Sequence, residues 1–195
     1  MKNGEWFDAV YFGHEQAKEH KSNYSRVGGY RPGLANPDGF AQWIRDNIPE
    51  NNQVPRVLEI GCATGAAVYA MRVLGMRAWG VDVSSYILSQ ADSNVREFLI
   101  WGDMRSIPNH PSIISLGRFA VICSKDVLEH ATEDTIEDIL RDFSRICGIQ
   151  MHIVNTGERR DQAAAGDQSH FLVRPLAWWD DLAQTLDLPI LFQAT

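Results

Sequence analysis

Short apolar runs alternate with amphipathic stretches from residue 36 to residue 195. Apolar runs bounded by polar or glycine residues are typical of buried strands, and they predict strands over 56–60, 77–83, 98–102, 119–123, 149–154 and 189–193. Stretches with apolar residues on one helical face predict helices over 37–48, 66–74, 84–95, 132–147 and 176–186. Strands therefore alternate with helices along most of the chain.

Helix start and stop residues support these boundaries. Asn36, Ser84 and Thr132 stand at the starts of predicted helices and have side chains that favour the N-cap position. Gly75 and Gly148 follow predicted helices, as C-terminal glycines commonly do. Because strand–helix–strand units connect neighbouring parallel strands, this order predicts an α/β fold with one doubly wound, mostly parallel sheet flanked by helices.

Residues 1–36 lack this regular pattern. Glycines and a proline interrupt the segment, and no single helix or strand accounts for it. Its aromatic residues are Trp6, Phe7, Tyr11, Phe12, Tyr24 and Tyr30. Two interpretations fit: an arm packed permanently on the domain, or a lid that closes over a site, since long irregular segments are often functional.

Composition and charge narrow the class. The chain has 195 residues, with 18 Lys and Arg against 25 Asp and Glu, a net charge of −7. A negative surface repels phosphate backbones and argues against a nucleic-acid partner. Cys62, Cys123 and Cys147 lie in apolar stretches and are odd in number, which indicates free, buried thiols in a reducing compartment. No apolar segment is long enough for a signal core or a membrane span, so we expect a cytoplasmic protein without a membrane partner.

The segment 57–65 carries the most informative motif, a strand running into a glycine turn before a helix. In doubly wound sheets, such turns at the carboxyl ends of strands bind ligands. A dinucleotide fingerprint would place glycine at 61, 63 and 66, but Ala63 and Ala66 stand there instead. The pattern present is Glu-x-Gly-x-Ala-x-Gly, from Glu59 to Gly65.

This pattern resembles the first motif of the class I S-adenosylmethionine (SAM) dependent methyltransferases, an acidic residue followed by three alternating glycines. Glu59, Gly61 and Gly65 match it, and Ala63 replaces the middle glycine. The resemblance covers about residues 54–155 and implies a Rossmann-like fold with SAM as cofactor. We therefore expect a methyltransferase domain over 37–195 that follows the N-terminal segment 1–36.

Later segments continue the resemblance at the family's usual spacing. It implies that Asp82, after the second strand, accepts the ribose hydroxyls, although an acid there could also cap the following helix. It also implies that Asp103 binds the adenine amine. The run 124–130 resembles the family's Asp-Val-Leu-Glu-His segment. The cofactor-binding residues expected from the resemblance are Glu59, Gly61, Cys62, Ala63, Gly65, Asp82, Val83, Gly102, Asp103, Met104, Ser124 and Lys125. Two roles are open for Glu59: contact with the cofactor's amino acid end through water, or bracing of the glycine turn.

Two histidines are candidate acid–base groups, because histidine titrates near neutral pH. His170 follows a polar loop predicted near the pocket, and the segment 167–170 loosely resembles one found in methyltransferases that act on sugars or small molecules. His130 has a competing interpretation as a helix-start residue packed below the site. The histidine and cysteine spacings match no metal-binding pattern, so no metal is expected.

These observations predict methyl transfer from SAM to a small-molecule or sugar acceptor. Two alternatives stay open: a non-catalytic SAM-binding module, and an NAD-type oxidoreductase on the same architecture. The family's sheet usually ends in an antiparallel strand pair, whereas one strand is predicted after the last helix of this chain.

Overall fold

Six strands form one parallel sheet in the computed structural model, which describes residues 1–15, 36–49, 53–157 and 169–195. The strands are β1 (Arg56–Ile60), β2 (Arg77–Asp82), β3 (Leu99–Trp101), β4 (Phe119–Lys125), β5 (Cys147–Val154) and β6 (Ile190–Ala194). Their order across the sheet is β3-β2-β1-β4-β5-β6, and every neighbouring pair is parallel. The predicted α/β doubly wound, Rossmann-like sheet is confirmed.

Helices connect the strands. The α-helices are α1 (Pro37–Asn47), α2 (Ala66–Val73), α3 (Ser85–Ser89), α4 (Ser93–Arg96), α5 (Pro111–Leu116), α6 (Ile136–Ile146) and α7 (Leu176–Leu186). Two 3-10 helices span Met104–Asn109 and Leu128–His130. None of the helices in the described part of the chain is long and apolar enough to cross a bilayer.

Apolar layers cover both faces of the sheet. Successive residues of a strand face opposite sides, so Val57 packs in one cluster while Leu58 and Ile60 pack in the other. Val57 shares its cluster with residues of α1 and α2, including Ile44, and the second cluster contains residues of α6 and α7, including Trp179. Burial on both faces explains why the strands consist of near-continuous apolar runs.

Three predicted boundaries differ in the structure. The helix predicted over 84–95 is split into α3 and α4, because Asp92 caps a new helix by accepting a hydrogen bond from the backbone N–H of Asn94. Thr132 does not cap α6: its hydroxyl pairs with that of Thr135 at 2.9 Å, and the helix begins one residue after Thr135. Gly148 lies inside β5, which begins directly after α6, so the helix ends before this glycine.

The sheet ends with a parallel strand. β6 lies beside β5, with Gln150 opposite Ile190 and Val154 opposite Ala194. Helix α7 returns the chain across the sheet, so β6 runs in the same direction as β5. Among the described residues the sheet contains no antiparallel pair, in contrast to the usual end of the family's sheet. The three cysteines are buried and free, as predicted.

Candidate functional site

A cleft opens at the carboxyl ends of the central strands. The segments that follow β1, β2, β3 and β4 converge there, at 61–63, 82–83, 102–104 and 125–127, together with His130. The cleft encloses about 1110 Å³, including its open mouth. The strand order continues from β1 to β2 and β3 in one direction and from β4 to β5 and β6 in the other, so the order reverses between β1 and β4. The crevice at such a reversal is the usual ligand site of a doubly wound sheet.

The glycine turn after β1 adopts left-handed backbone conformations at three positions. The φ angles are 70° at Gly61, 49° at Ala63 and 79° at Gly65. A Cβ atom on Gly61 would lie 2.3 Å from Val127, and one on Gly65 would lie 2.7 Å from Leu99. Packing within the protein therefore requires glycine at these two positions, in addition to any approach of a ligand.

Asp82 ties the glycine turn to the turn after β2. Its Oδ2 accepts a hydrogen bond from the backbone N–H of Ala63, and its Oδ1 accepts one from Ser84, both at 2.8 Å. The Ser84 hydroxyl caps α3, so Asp82 is not the helix cap. Burial raises the pKa of Asp82 to about 6, although its bonds to backbone N–H groups oppose the shift. Each oxygen retains lone-pair capacity for a second donor.

Glu59 is a second buried carboxyl group at the base of the cleft. Its side chain lines the cavity, and Oε2 has no hydrogen-bond partner among the described residues. Burial, reinforced by the charge of Asp82, raises the pKa of Glu59 to about 8, while a backbone bond at Val68 and the charge of Lys125 oppose the shift. At pH 7 Glu59 is therefore mostly protonated, and it can donate as well as accept a hydrogen bond.

Asp103 lies in the segment that follows β3 and lines the cleft. Arg105 donates to both of its carboxylate oxygens, through Nε at 2.9 Å and through Nη2, and its backbone N–H bonds to Oδ1. Burial alone would raise the pKa of Asp103, but the hydrogen bonds and charge of Arg105 outweigh it and lower the pKa. The charge and orientation of this carboxylate are thus fixed by a planar guanidinium. The sequence analysis did not identify Arg105, although its position two residues after an acid is a recognisable signal.

Two expected cofactor residues, Ser124 and Lys125, lie at the end of β4 but have different environments. Lys125 lines the cleft, whereas Ser124 is fully buried and its hydroxyl lies 2.7 Å from Nδ1 of His152. Nε2 of His152 in turn lies 3.2 Å from the amide oxygen of Gln150. Burial lowers the pKa of His152 to about 3, so this ring is neutral. Ser124 therefore belongs to a polar chain inside the sheet.

Ten of the twelve expected cofactor residues line the cleft, and Gly65 and Ser124 do not. Gly65 is the N-cap of α2, and its neighbours Ala63 and Ala66 line the cleft although Gly65 does not. The ten that do are Glu59, Gly61, Cys62, Ala63, Asp82, Val83, Gly102, Asp103, Met104 and Lys125.

The two candidate histidines lie against each other. Their ring centroids are 4.8 Å apart, and His130 lines the cleft while His170 lies behind it. Nδ1 of His130 lies 3.1 Å from the carbonyl oxygen of Ser169. Since a carbonyl only accepts, Nδ1 carries the proton, and Nε2 of the neutral ring is an acceptor. Residues 167 and 168 of the predicted segment lie outside the described residues, and Trp179 is a fully buried core residue.

The N-terminal segment supplies one wall of the cleft. Phe7, Tyr11 and Phe12 are buried and line the cavity together with Met1 and Lys2. The backbone carbonyl of Phe7 accepts a hydrogen bond from the hydroxyl of Ser84, which attaches the segment to the turn after β2. The sequence analysis noted these aromatics without assigning them to the site, and residues 16–35 lie outside the described part. Within the described residues, no group of three or more His, Cys, Asp or Glu side chains is arranged to hold a metal ion.

Comparison with known proteins identifies the class. A family model described as a methyltransferase domain matches residues 57–148. A SAM-dependent methyltransferase structure from Archaeoglobus fulgidus is similar over 77% of this chain and 68% of that one, with 14% identity and a TM-score of 0.57. No curated protein matches the sequence.

Two further solved structures share the fold. One is a putative O-methyltransferase from Nostoc punctiforme, 16% identical over 78% of this chain and 50% of that one, with a TM-score of 0.56. The other is the CcbJ methyltransferase from Streptomyces caelestis, 16% identical over 75% of this chain and 54% of that one, with a TM-score of 0.51. This chain spans about half the length of both proteins.

The fold, the order of the motifs and the family match define a class of protein. Residues 57–148 match a methyltransferase domain, and the rest of the comparison shows a shared fold, in agreement with the predicted class I SAM-dependent methyltransferase family. The match also agrees with SAM as the predicted cofactor.

Proposed function

We propose that this chain transfers the methyl group of SAM to a small-molecule acceptor. The observation that carries the proposal is the single cleft in which the glycine turn, Asp82, Asp103 and His130 meet. Asp82 and Asp103 suit an adenosine moiety, and His130 suits proton removal. The family match supports SAM as the cofactor, and the positions of these residues in the cleft support the roles proposed for them.

The cofactor side of the cleft fits an adenosyl ligand. The two oxygens of Asp82 each accept one backbone N–H and have capacity left for two ribose hydroxyls. Asp103, held by Arg105, presents a fixed carboxylate for an exocyclic amine. Glu59 lines the cavity, and its buried Oε2 has no hydrogen-bond partner among the described residues, so this side chain suits the amino acid end.

Bound SAM supplies an activated methyl group, so the protein mainly aligns the acceptor and excludes water. His130 is the proposed base, because it lines the cleft and its Nδ1–H is held by the Ser169 carbonyl, which makes Nε2 the acceptor nitrogen of the neutral ring. His170 is proposed as a positioning residue, since its ring packs against that of His130 from behind the cleft. The sequence analysis favoured His170 as the base, and the proposal assigns that role to His130 because His130 lines the cleft.

We further propose that residues 1–36 form a lid over a methyltransferase domain of residues 37–195. In support of this proposal, Phe7 and Tyr11 of the described part are buried and line the cleft. A lid should show greater protection from hydrogen exchange with S-adenosylhomocysteine (SAH) bound than without it. Equal protection in both states would make the segment a permanently packed arm.

The decisive experiment compares ligands and turnover on the whole chain. SAM and SAH should raise the Tm, because ligands that bind only the native state stabilise it. A Tm shift with NAD and none with millimolar SAH would favour the oxidoreductase. Binding of SAM without SAH formation, against a broad acceptor panel, would favour the non-catalytic module. Replacing the base by His130→Asn should lower kcat while SAH affinity stays unchanged.

A further inference from the structure

Residues 1–15, which we call the N-terminal strap, contact both sides of the cleft. The carbonyl oxygen of Phe7 accepts a hydrogen bond from the hydroxyl of Ser84, in the turn after β2. The ring of Phe7 packs edge to face against His130, which follows β4, with 5.3 Å between the ring centroids. Strand β1 lies between β2 and β4, so Phe7 crosses the cleft above the carboxyl end of β1.

The strap approaches the turn after β2 at a second point, Gly4. A Cβ atom on Gly4 would lie 2.3 Å from the backbone oxygen of Val83. The same oxygen accepts a hydrogen bond from the indole N–H of Trp101 at 3.0 Å. Because this oxygen belongs to the backbone and is already bonded, it cannot move aside as a flexible side chain could. A side chain at position 4 would therefore push the strap away from the turn.

Ser84 joins the strap to the carboxylate proposed to bind the ribose. Its backbone N–H donates to Oδ1 of Asp82 at 2.8 Å. Its hydroxyl donates to the carbonyl of Phe7 and accepts from the backbone N–H of Ile87 at the start of α3. The side chain of Ser84 is fully buried, and neither Ser84 nor Gly4 lines the cavity. These two residues therefore act on a bound ligand only through the groups that they hold in place.

The strap and the sheet line opposite sides of the cleft. Phe7 and Tyr11 line it from the strap, and the turns at 61–63 and 82–83 line it from the sheet. A ligand bound to these turns lies between the sheet and the strap. Because such a ligand contacts both, it favours the attached position of the strap, and the attached strap slows its release.

We propose that Gly4 and Ser84 are positioning residues that hold the N-terminal strap over the bound cofactor and thereby set the rate at which the product SAH leaves. This inference rests on the proposed methyl transfer and names the contacts that would hold the proposed lid. The coupling is reciprocal: bound SAH stabilises the attached strap by the same factor by which the attached strap stabilises bound SAH.

The test measures the release of SAH from the whole chain. Protein loaded with labelled SAH is mixed with excess unlabelled SAH, and the loss of label is followed in time. Gly4→Ala should release SAH at least tenfold faster than the unmodified protein. Asn3→Ala is the matched control, because Asn3 is an exposed neighbour in the strap, and its release rate should be unchanged. Equal rates in Gly4→Ala and the unmodified protein would overturn the inference, whereas a protein that binds no SAH would overturn the proposed function.

Substitution of Ser84 tests the other half of the contact. Ser84→Ala removes the hydroxyl but keeps the backbone N–H that bonds to Asp82, and it should also release SAH at least tenfold faster. Ser84→Thr restores a hydroxyl and should release SAH more slowly than Ser84→Ala. Asp92→Ala is the control for a lost helix cap, because Asp92 caps α4 outside the cleft. Equal acceleration in Ser84→Ala and Asp92→Ala would contradict the role of the strap.

Hydrogen exchange provides a measurement that requires no variant. In the unmodified protein, SAH should raise the protection of amides in residues 4–7 and in residues 82–84 together, because the strap and the turn form one contact. Increased protection of the turn without increased protection of the strap would overturn the inference, even where Gly4→Ala fails to fold.

Discussion

Replacing Asp82 by alanine removes the carboxylate that joins two turns of the site. In the free protein it accepts hydrogen bonds from the N–H groups of Ala63 and Ser84, both at 2.8 Å. With cofactor bound, we expect two ribose hydroxyls to donate to the remaining lone pairs. A hydrogen bond to a charged group contributes roughly 1.5–3 kcal/mol. Because 1.4 kcal/mol is about tenfold in affinity, loss of the pair should weaken SAH binding at least tenfold.

The stability of the Asp82→Ala protein should change less than these bonds alone suggest. The two backbone bonds together contribute about 3–6 kcal/mol. Burial raises the pKa of Asp82 from 3.8 to about 6 even with these bonds in place, so keeping the carboxylate ionised at pH 7 has a net cost of about 3 kcal/mol. Alanine removes the bonds together with the larger burial cost that they oppose. A folded variant with a modestly lower free energy of unfolding is the expected outcome.

The assay for Asp82→Ala is calorimetric titration with SAH at pH 7, paired with urea unfolding. Asp92→Ala is the matched control, because Asp92 also bonds a backbone N–H at the start of a helix but lies outside the cleft. The control should lose some stability and no SAH affinity. Unchanged affinity in a folded Asp82→Ala protein would refute the ribose assignment.

Three further substitutions test other parts of the site. Ala63→Gly relieves a left-handed conformation worth about 1–2 kcal/mol and adds a glycine entropy cost of about 0.5–1 kcal/mol, so urea unfolding should show equal or slightly higher stability. Glu59 has a pKa of about 8 in the folded protein, above its usual 4.5, so its stabilising contribution is lost as the pH rises through 8. Between pH 5 and 9 the Tm of Glu59→Gln should therefore fall less than the Tm of the unmodified protein. Arg105→Lys removes the two-pronged contact with Asp103, and calorimetry should show SAH affinity falling by up to about tenfold, since one hydrogen bond contributes about 1 kcal/mol.

The inner strands could be predicted from the sequence because they are apolar runs buried on both faces, whereas the edge strands β3 and β6 are apolar runs that are only partly buried. Helix boundaries depended on smaller energies. Thr132 and Thr135 both have N-cap side chains, and a hydroxyl–hydroxyl contact between them decides which residue precedes α6. Asp92 begins a new helix where apolar periodicity indicated a continuous one. Such choices between neighbouring polar residues involve about 1 kcal/mol, which a pattern of apolar positions does not register.

The site was predictable where backbone spacing determines it. Asp82 and Asp103 end or follow parallel strands, so their positions at one edge of the sheet follow from the topology. Ser124 was misplaced for a reason that the sequence contained: neighbouring strand residues face opposite sides, so Ser124 and Lys125 do not both face the cleft. The position of Phe7 in the lining of the cleft was not predictable, because Phe7 reaches the cleft only through tertiary contacts of an irregular segment.

The buried carboxyl groups connect stability with cofactor binding. Glu59 and Asp82 lie on neighbouring strands, burial raises the pKa of both, and the charge of Asp82 raises that of Glu59 further, so at pH 7 the pair holds close to one proton between them. Lys125 only partly offsets that cost at Glu59. A ligand with a positive charge beside these groups favours their ionised forms, whereas an uncharged ligand does not. The positive charge of the SAM sulfonium is lost when the methyl group leaves, so with the proposed placement of the cofactor we expect SAM to bind more tightly than its product at a pH where both carboxyl groups are ionised.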